Sequence, residues 1–120
     1  MIPKDLTPQD AVSLTEDMES LRVLDVRNPA EWEAARLPGA VLATPEVMRE
    51  IREKWASDTP ILVYCHHGIR SLISGLKLRM AGFTRVYNLK GGIEKWSLLV
   101  DSSVPRYRMD SGAAVVVSGD

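Results

Sequence analysis

Short apolar runs alternate along the chain with segments that carry the start and stop signals of helices. Thr7-Pro8-Gln9-Asp10 supplies an N-cap, a proline at the first helical position and an acid in the first turn, which predicts a helix to about Thr15. Asn28-Pro29-Ala30-Glu31 and Thr44-Pro45-Glu46 repeat that chemistry, predicting a short helix through Trp32 and a longer one to about Trp55. Between them, Leu21–Val26 reads as a short strand, and the turn Leu37-Pro38-Gly39-Ala40 feeds a shorter one over Ala40–Leu42. Pro60-Ile61-Leu62-Val63-Tyr64 is apolar on both faces, as a central parallel strand should be. A helix from about Arg70 to Met80 follows, with Leu72, Ile73, Leu76 and Met80 forming an apolar stripe and Gly82 at its stop. Arg85–Asn88 is a further strand, Gly91-Gly92 a turn and Ile93–Leu98 a last short helix. Strands and helices alternating at this spacing predict an α/β domain with a mainly parallel sheet. After Arg108 neither caps nor periodicity continue. Residues 1–108 therefore read as one domain and 109–120 as a flexible C-terminal tail.

Composition narrows the class. With 120 residues, 45% hydrophobic and 26% charged, the chain is long enough for its own core and unlike disordered, coiled-coil or collagen sequences. A net charge of −1 gives no reason to expect nucleic acid or an anionic membrane as partner, and the apolar runs are too short to span a bilayer. The N-terminus lacks the basic stretch and apolar run of a signal peptide, so a cytoplasmic protein is expected, as a monomer or weak dimer. A single cysteine excludes a disulfide framework and any four-thiolate metal site. Charge is unevenly divided: residues 1–60 carry 7 basic and 12 acidic side chains, residues 61–120 carry 8 and 4. The cysteine lies in the cationic half.

That cysteine carries the candidate chemistry. In Tyr64-Cys65-His66-His67-Gly68-Ile69-Arg70-Ser71 a buried strand delivers Cys65 to its C-terminal end, where open α/β sheets place their ligand sites. A helix begins within five residues, so its amides and partial positive charge point back towards the sulfur. Gly68 lets the loop curl until its N–H groups converge into an anion nest. This setting should favour a thiolate. An isolated cysteine at a strand end is more often an inert core residue; the glycine, the helix start and Arg70 favour a nucleophile instead. His66 and His67 raise the possibility of metal, but adjacent side chains are expected to diverge and no third ligand pattern exists, so neither metal nor cofactor is expected. The two histidines could instead tune the charge of the loop near neutral pH. Trp32, Trp55 and Trp96 read as packing residues, Trp96 near the rim of the site.

Spacing separates related chemistries. Cysteine phosphatases use Cys-x5-Arg, whereas Cys65 and Arg70 form Cys-x4-Arg, a smaller cradle better matched to one terminal sulfur than to a phosphate. No Cys-x-x-Cys pair is present for thioredoxin-type exchange. Leu24-Asp25-Val26-Arg27, Glu31-Trp32, Leu37-Pro38-Gly39-Ala40, Val63–Ser71 and Ala81-Gly82-Phe83 with Leu89, Gly91-Gly92-Ile93 and Trp96 together resemble the rhodanese family of single-domain sulfurtransferases over roughly residues 6–108. One departure is Arg36, where the family usually has histidine. The resemblance implies an open, mainly parallel five-stranded sheet with helices on both faces. It also implies that Cys65 takes sulfur from a thiosulfate-like anion as a persulfide and passes it to cyanide, a thiol or a protein. The backbone from His66 through His67, Gly68 and Ile69 to Arg70 would bind the terminal sulfur, with Arg70 either steering an anionic donor or anchoring the loop. Asp25 and Arg27 would be a buried structural brace. The segment from Trp96 to Tyr107 is similar to the ending of rhodanese domains attached to adenylating enzymes for sulfur-carrier proteins, which hints at a protein acceptor. Two other readings stand beside this one: an interaction or sulfur-relay module on the same fold, and a small phosphatase or arsenate reductase.

Overall fold

The computed structural model describes residues 2–117. Five strands, β1 (Lys4–Leu6), β2 (Arg22–Asp25), β3 (Val41–Leu42), β4 (Ile61–Tyr64) and β5 (Val86–Leu89), form one sheet in the order β1-β5-β4-β2-β3. Every pairing in it is parallel. Helices α1 (Pro8–Asp17), α2 (Pro29–Ala34), α3 (Pro45–Lys54), α4 (Ile69–Met80) and α5 (Gly92–Leu99) connect and cover the strands. The sheet is thus the open, parallel, five-stranded α/β architecture expected. Its edge strand β1 carries no apolar run and was not foreseen. It is three residues long, and backbone pairing with Tyr87–Leu89 holds it.

The cap chemistry acts as the sequence suggests. Thr7, Asn28 and Thr44 each accept a backbone N–H from the third residue of the following helix, with proline at the first turn in all three. Asn28 and Glu31 complete a reciprocal capping box. β4 shows why its run had to be apolar throughout. Ile61 and Val63 point into a cluster with Leu24, Ile51, Leu78, Phe83 and Val86, while Leu62 and Tyr64 point into another with Ala11, Leu89, Ile93 and Trp96. α3 and α4 therefore cover one face and α1 and α5 the other, each alternate residue of β4 anchoring one layer.

Two local expectations are corrected. The apolar stripe of α4 faces solvent, with Ile73 54% and Met80 70% exposed. The face that meets the sheet instead carries Ser71, Gly75 and Leu78. Small residues let the helix lie close: a Cβ at Gly75 would fall 2.7 Å from Pro3 Cγ and 3.3 Å from Val63 Cγ2. Closeness, and not an apolar stripe, sets which face packs.

The expected tail is also replaced, over its described part, by structure. Strands β6 (Tyr107–Asp110) and β7 (Ala113–Val116) form an antiparallel hairpin, joined by Ser111-Gly112. Both turn residues have positive φ, the primed geometry that matches strand twist. Tyr107 is the buried member of the hairpin and joins the second core cluster described above. Residues 118–120 of the expected tail lie outside the described residues. Among the described residues no helix is long and apolar enough to cross a membrane.

Candidate active site

β4 ends at Tyr64, so Cys65 sits at the C-terminal edge of the central strand, free and 1% exposed. Gly68 takes the left-handed conformation, φ +97°, and turns the chain into α4 without a capping side chain. The sulfur occupies the position of the missing cap. Its Sγ accepts the N–H of Gly68 at 3.1 Å and of Ser71 at 3.4 Å, and lies 3.3 Å from Ser71 Oγ. Burial alone would push the thiol's pKa up. Contact with Ser71 and the N–H groups of Gly68 and His67 outweigh burial and hold it below the ordinary cysteine value.

The loop is seated on the start of α5. The N–H of Ile93 donates to Cys65 O at 2.9 Å and that of Glu94 to His66 O at 3.2 Å. Asn88 on β5 donates to Gly68 O at 3.2 Å. These bonds engage the carbonyls of Cys65, His66 and Gly68, while the N–H groups of Gly68 and Ser71 face the sulfur.

The remaining expected site residues are distributed unevenly. Ile69 opens α4 and is 73% exposed, so its side chain takes no part in the nest. His66 and His67 do not diverge: their rings stack at 4.0 Å, and His66 stacks in turn on Tyr107 at 4.1 Å. Burial, followed by the neighbouring His67, lowers the pKa of His66, which keeps the ring neutral at pH 7. His66, His67 and Glu94 line an open cleft of about 480 Å³ together with Tyr107, Arg108 and Met109 of the hairpin.

Arg70 is held by Glu31. Its Nη1 and Nη2 donate to Glu31 Oε1 and Oε2 at 2.8 and 2.9 Å, a bidentate pair. Glu31 is 1% exposed. Burial would raise its pKa, but hydrogen bonds from Arg70 and Tyr107 bring it down to about 2. Tyr107 Oη donates to Glu31 Oε2 and accepts from Arg27 Nη1 at 3.0 Å. Arg27 grips Asp25 through Nε at 2.9 Å and Nη2 at 2.6 Å, and Tyr64 Oη donates to the same carboxylate at 2.8 Å. One chain of bonds thus runs Asp25–Arg27–Tyr107–Glu31–Arg70, joining the end of β2 to the loop. Each charge in it meets an opposite charge or a hydroxyl, as buried ions require.

Sequence reasoning did not single out four members of this site: Ser71, Asn88, Glu31 as the partner of Arg70, and Tyr107. Ser71 was within reach, because it stands one residue past the arginine at the first turn of the helix. Tyr107 was within reach only through its hairpin, whose Ser-Gly turn between two four-residue runs is a known hairpin signal. Asn88 and the Glu31–Arg70 pair depend on contacts 17 to 39 residues apart, which no local pattern announces.

A strand-end cysteine in an amide nest, on a five-stranded parallel sheet, places the molecule in a defined class. The chain belongs to the rhodanese-like domain family, whose model matches residues 7–99. It is 32% identical over 88 residues to the thiosulfate sulfurtransferase GlpE of Tolumonas auensis (strain DSM 9187 / NBRC 110442 / TA 4), covering 73% of this chain and 82% of that one. To the protein YqhL of Bacillus subtilis (strain 168) it is 35% identical over 75 residues, 62% of this chain, and it spans 60% of that relative's length. The solution structure of the rhodanese-like domain of Alr3790 from Anabaena sp. superposes with a TM-score of 0.71 at 24% identity, covering 94% of this chain and 88% of the other. The hairpin lies beyond the residues that the family model matches.

Proposed function

We propose that the protein is a sulfurtransferase that carries sulfane sulfur on Cys65. The observation that carries this reading is the sulfur itself, buried at the end of β4 and receiving N–H groups from Gly68 and Ser71. The likeness to GlpE supports it. The Cys65 thiolate attacks the outer sulfur of a thiosulfate-like anion. The sulfur–sulfur bond of the donor breaks, sulfite leaves with the bonding electron pair, and Cys65 becomes a persulfide whose outer sulfur bears the negative charge. The loop N–H groups from His66 to Arg70 would hold that atom, as those of Gly68 and Ser71 hold Sγ. Fixed donors of this kind contribute about 2.7–4 kcal/mol each when aimed at developing charge. Cyanide, a thiol or a protein nucleophile then attacks the outer sulfur, and the Cys65 thiolate departs, ready for another cycle. No external oxidant or reductant enters, and no metal or cofactor is required.

Of the two roles open to Arg70, anchoring fits its bidentate bond to Glu31. Asp25 and Arg27 act as the brace beneath it. The test is Cys65→Ser, in which the hydroxyl ionises far less readily and cannot form a persulfide. Thiocyanate production from thiosulfate and cyanide should disappear while the circular dichroism spectrum is unchanged. Undiminished turnover in that variant would refute the assignment.

A further inference from the structure

Asn88 is 3% exposed and stands on β5 between three neighbours: Asp5 of β1, Gly68 of the loop and Ser71 of α4. Two of these leave no choice in how its amide is oriented. The carboxylate Oδ1 of Asp5, 3.0 Å away, and the carbonyl of Gly68, 3.2 Å away, can only accept. Asn88 must therefore present its NH₂ group to both. Its oxygen then faces Ser71 Oγ at 2.5 Å. An amide oxygen has no proton to give, so Ser71 must be the donor of that bond. A serine hydroxyl has one proton. Once it is committed to Asn88, only a lone pair of Ser71 is left to face Cys65 Sγ at 3.3 Å.

We infer that Asn88 is a positioning residue: by holding the Ser71 proton, it makes Ser71 an acceptor towards Cys65, so that the thiol hydrogen lies between the two. The N–H groups of Gly68 and Ser71 then support the thiolate, and the Ser71 hydroxyl adds to that support only as far as Asn88 releases its proton. A lone pair opposite Sγ disfavours charge on that atom. It does not disfavour a persulfide, in which Sγ is uncharged and the outer sulfur holds the charge further along the nest. The pair Asn88–Ser71 therefore tilts the site from free thiolate towards the sulfur-loaded form. This last step rests on the sulfurtransferase reading; the direction of the hydrogen bond does not. The other ionisable groups nearby are Arg70, tied to Glu31, Asp5, bonded to Asn88, and His66, His67 and Glu94, and none of them hydrogen-bonds to Ser71 Oγ.

The chain has one cysteine, so its S–H infrared stretch is a single, assignable band. In the reduced protein, below the thiol's pKa, that band should lie at the lowered frequency of a hydrogen-bond donor. Ser71→Ala should move it to the free-thiol position. Asn88→Leu should move it likewise, because the released hydroxyl turns to donate to sulfur. The same variant should lower the pH midpoint of Cys65 alkylation by iodoacetamide by on the order of half a unit, and should do nothing further in a Ser71→Ala background. A band already at the free-thiol position, or unmoved by Ser71→Ala, would overturn the inference. So would an Asn88→Leu shift that persists without Ser71. If Asn88→Leu does not fold, Ser71→Ala alone fixes the direction of the bond and Asn88→Ala replaces it in the cycle. Both readouts follow the thiol, so they stand whether or not sulfur transfer is observed.

Discussion

The Cys65 loop and the C-terminal hairpin line the same cleft, yet they are built on opposite principles. The loop is local. Sulfur, glycine, serine and arginine lie within seven residues, and the bonds that shape the nest join atoms three and six residues apart. The hairpin contributes one buried side chain, Tyr107, whose hydroxyl bridges Glu31 and Arg27 across 76 and 80 residues. Chemistry is thus set by neighbours in sequence, while the frame that holds it is closed from the far end of the chain. Substitutions in the loop should remove activity without stability. Those in the hairpin should do the reverse.

The largest effect belongs to the loop. Cys65→Ser should lose all sulfur transfer and keep the wild-type denaturant midpoint, since a serine fills the same buried space; a marked fall in that midpoint would mean the sulfur is mainly structural. Arg70→Ala comes next. Because Arg70 is bound to Glu31, its loss should loosen the nest and lower kcat by about 10- to 100-fold for charged and neutral donors alike. A rise in KM confined to thiosulfate, weakened by salt, would instead make Arg70 a steering residue.

The hairpin gives the third test. Tyr107→Phe keeps the ring stacked on His66 but removes two hydrogen bonds to buried charged groups, which should cost about 1.5–3 kcal/mol of unfolding free energy. Urea unfolding of the two proteins measures it, and an unchanged midpoint would mean the bridge contributes nothing. The fourth concerns pH. Glu31 has a folded pKa near 2, below its unfolded value of 4.5, so its contribution to stability is complete above 4.5 and is lost as pH falls towards 2. Glu31→Gln should be less stable at neutral pH and lose less than wild type between those limits. The smallest effect is expected at the hairpin's turn: Gly112→Ala, at φ +85° with open space around it, should cost about 1 kcal/mol and leave turnover intact.

How far the sequence spoke follows the same division. The strand β4, the three proline-led helices and the nest around Cys65 were legible because each depends on residues adjacent in the chain. β1 was not, because three residues carry no periodicity and pairing with β5 alone makes them a strand. The outward stripe of α4 misled because Ser71 and Gly75 are selected by closeness to Cys65 and the sheet, a demand that hydrophobic patterning does not register. Arg70 could be placed in the loop but not assigned a partner, since Glu31 lies 39 residues earlier. The hairpin was missed for a different reason: Tyr107 is its only buried residue, so its strands show no alternation of apolar and polar positions.

The central claim is that sulfur rests on Cys65 between donor and acceptor. With one cysteine in the chain, no second thiol can resolve a persulfide as an internal disulfide. Intact-protein mass spectrometry after incubation with thiosulfate and removal of the excess measures this directly. The wild type should be heavier by one sulfur atom, return to its original mass on adding cyanide, and show no such gain as Cys65→Ser. Active turnover with no heavier species, or the same gain in the serine variant, would contradict the account.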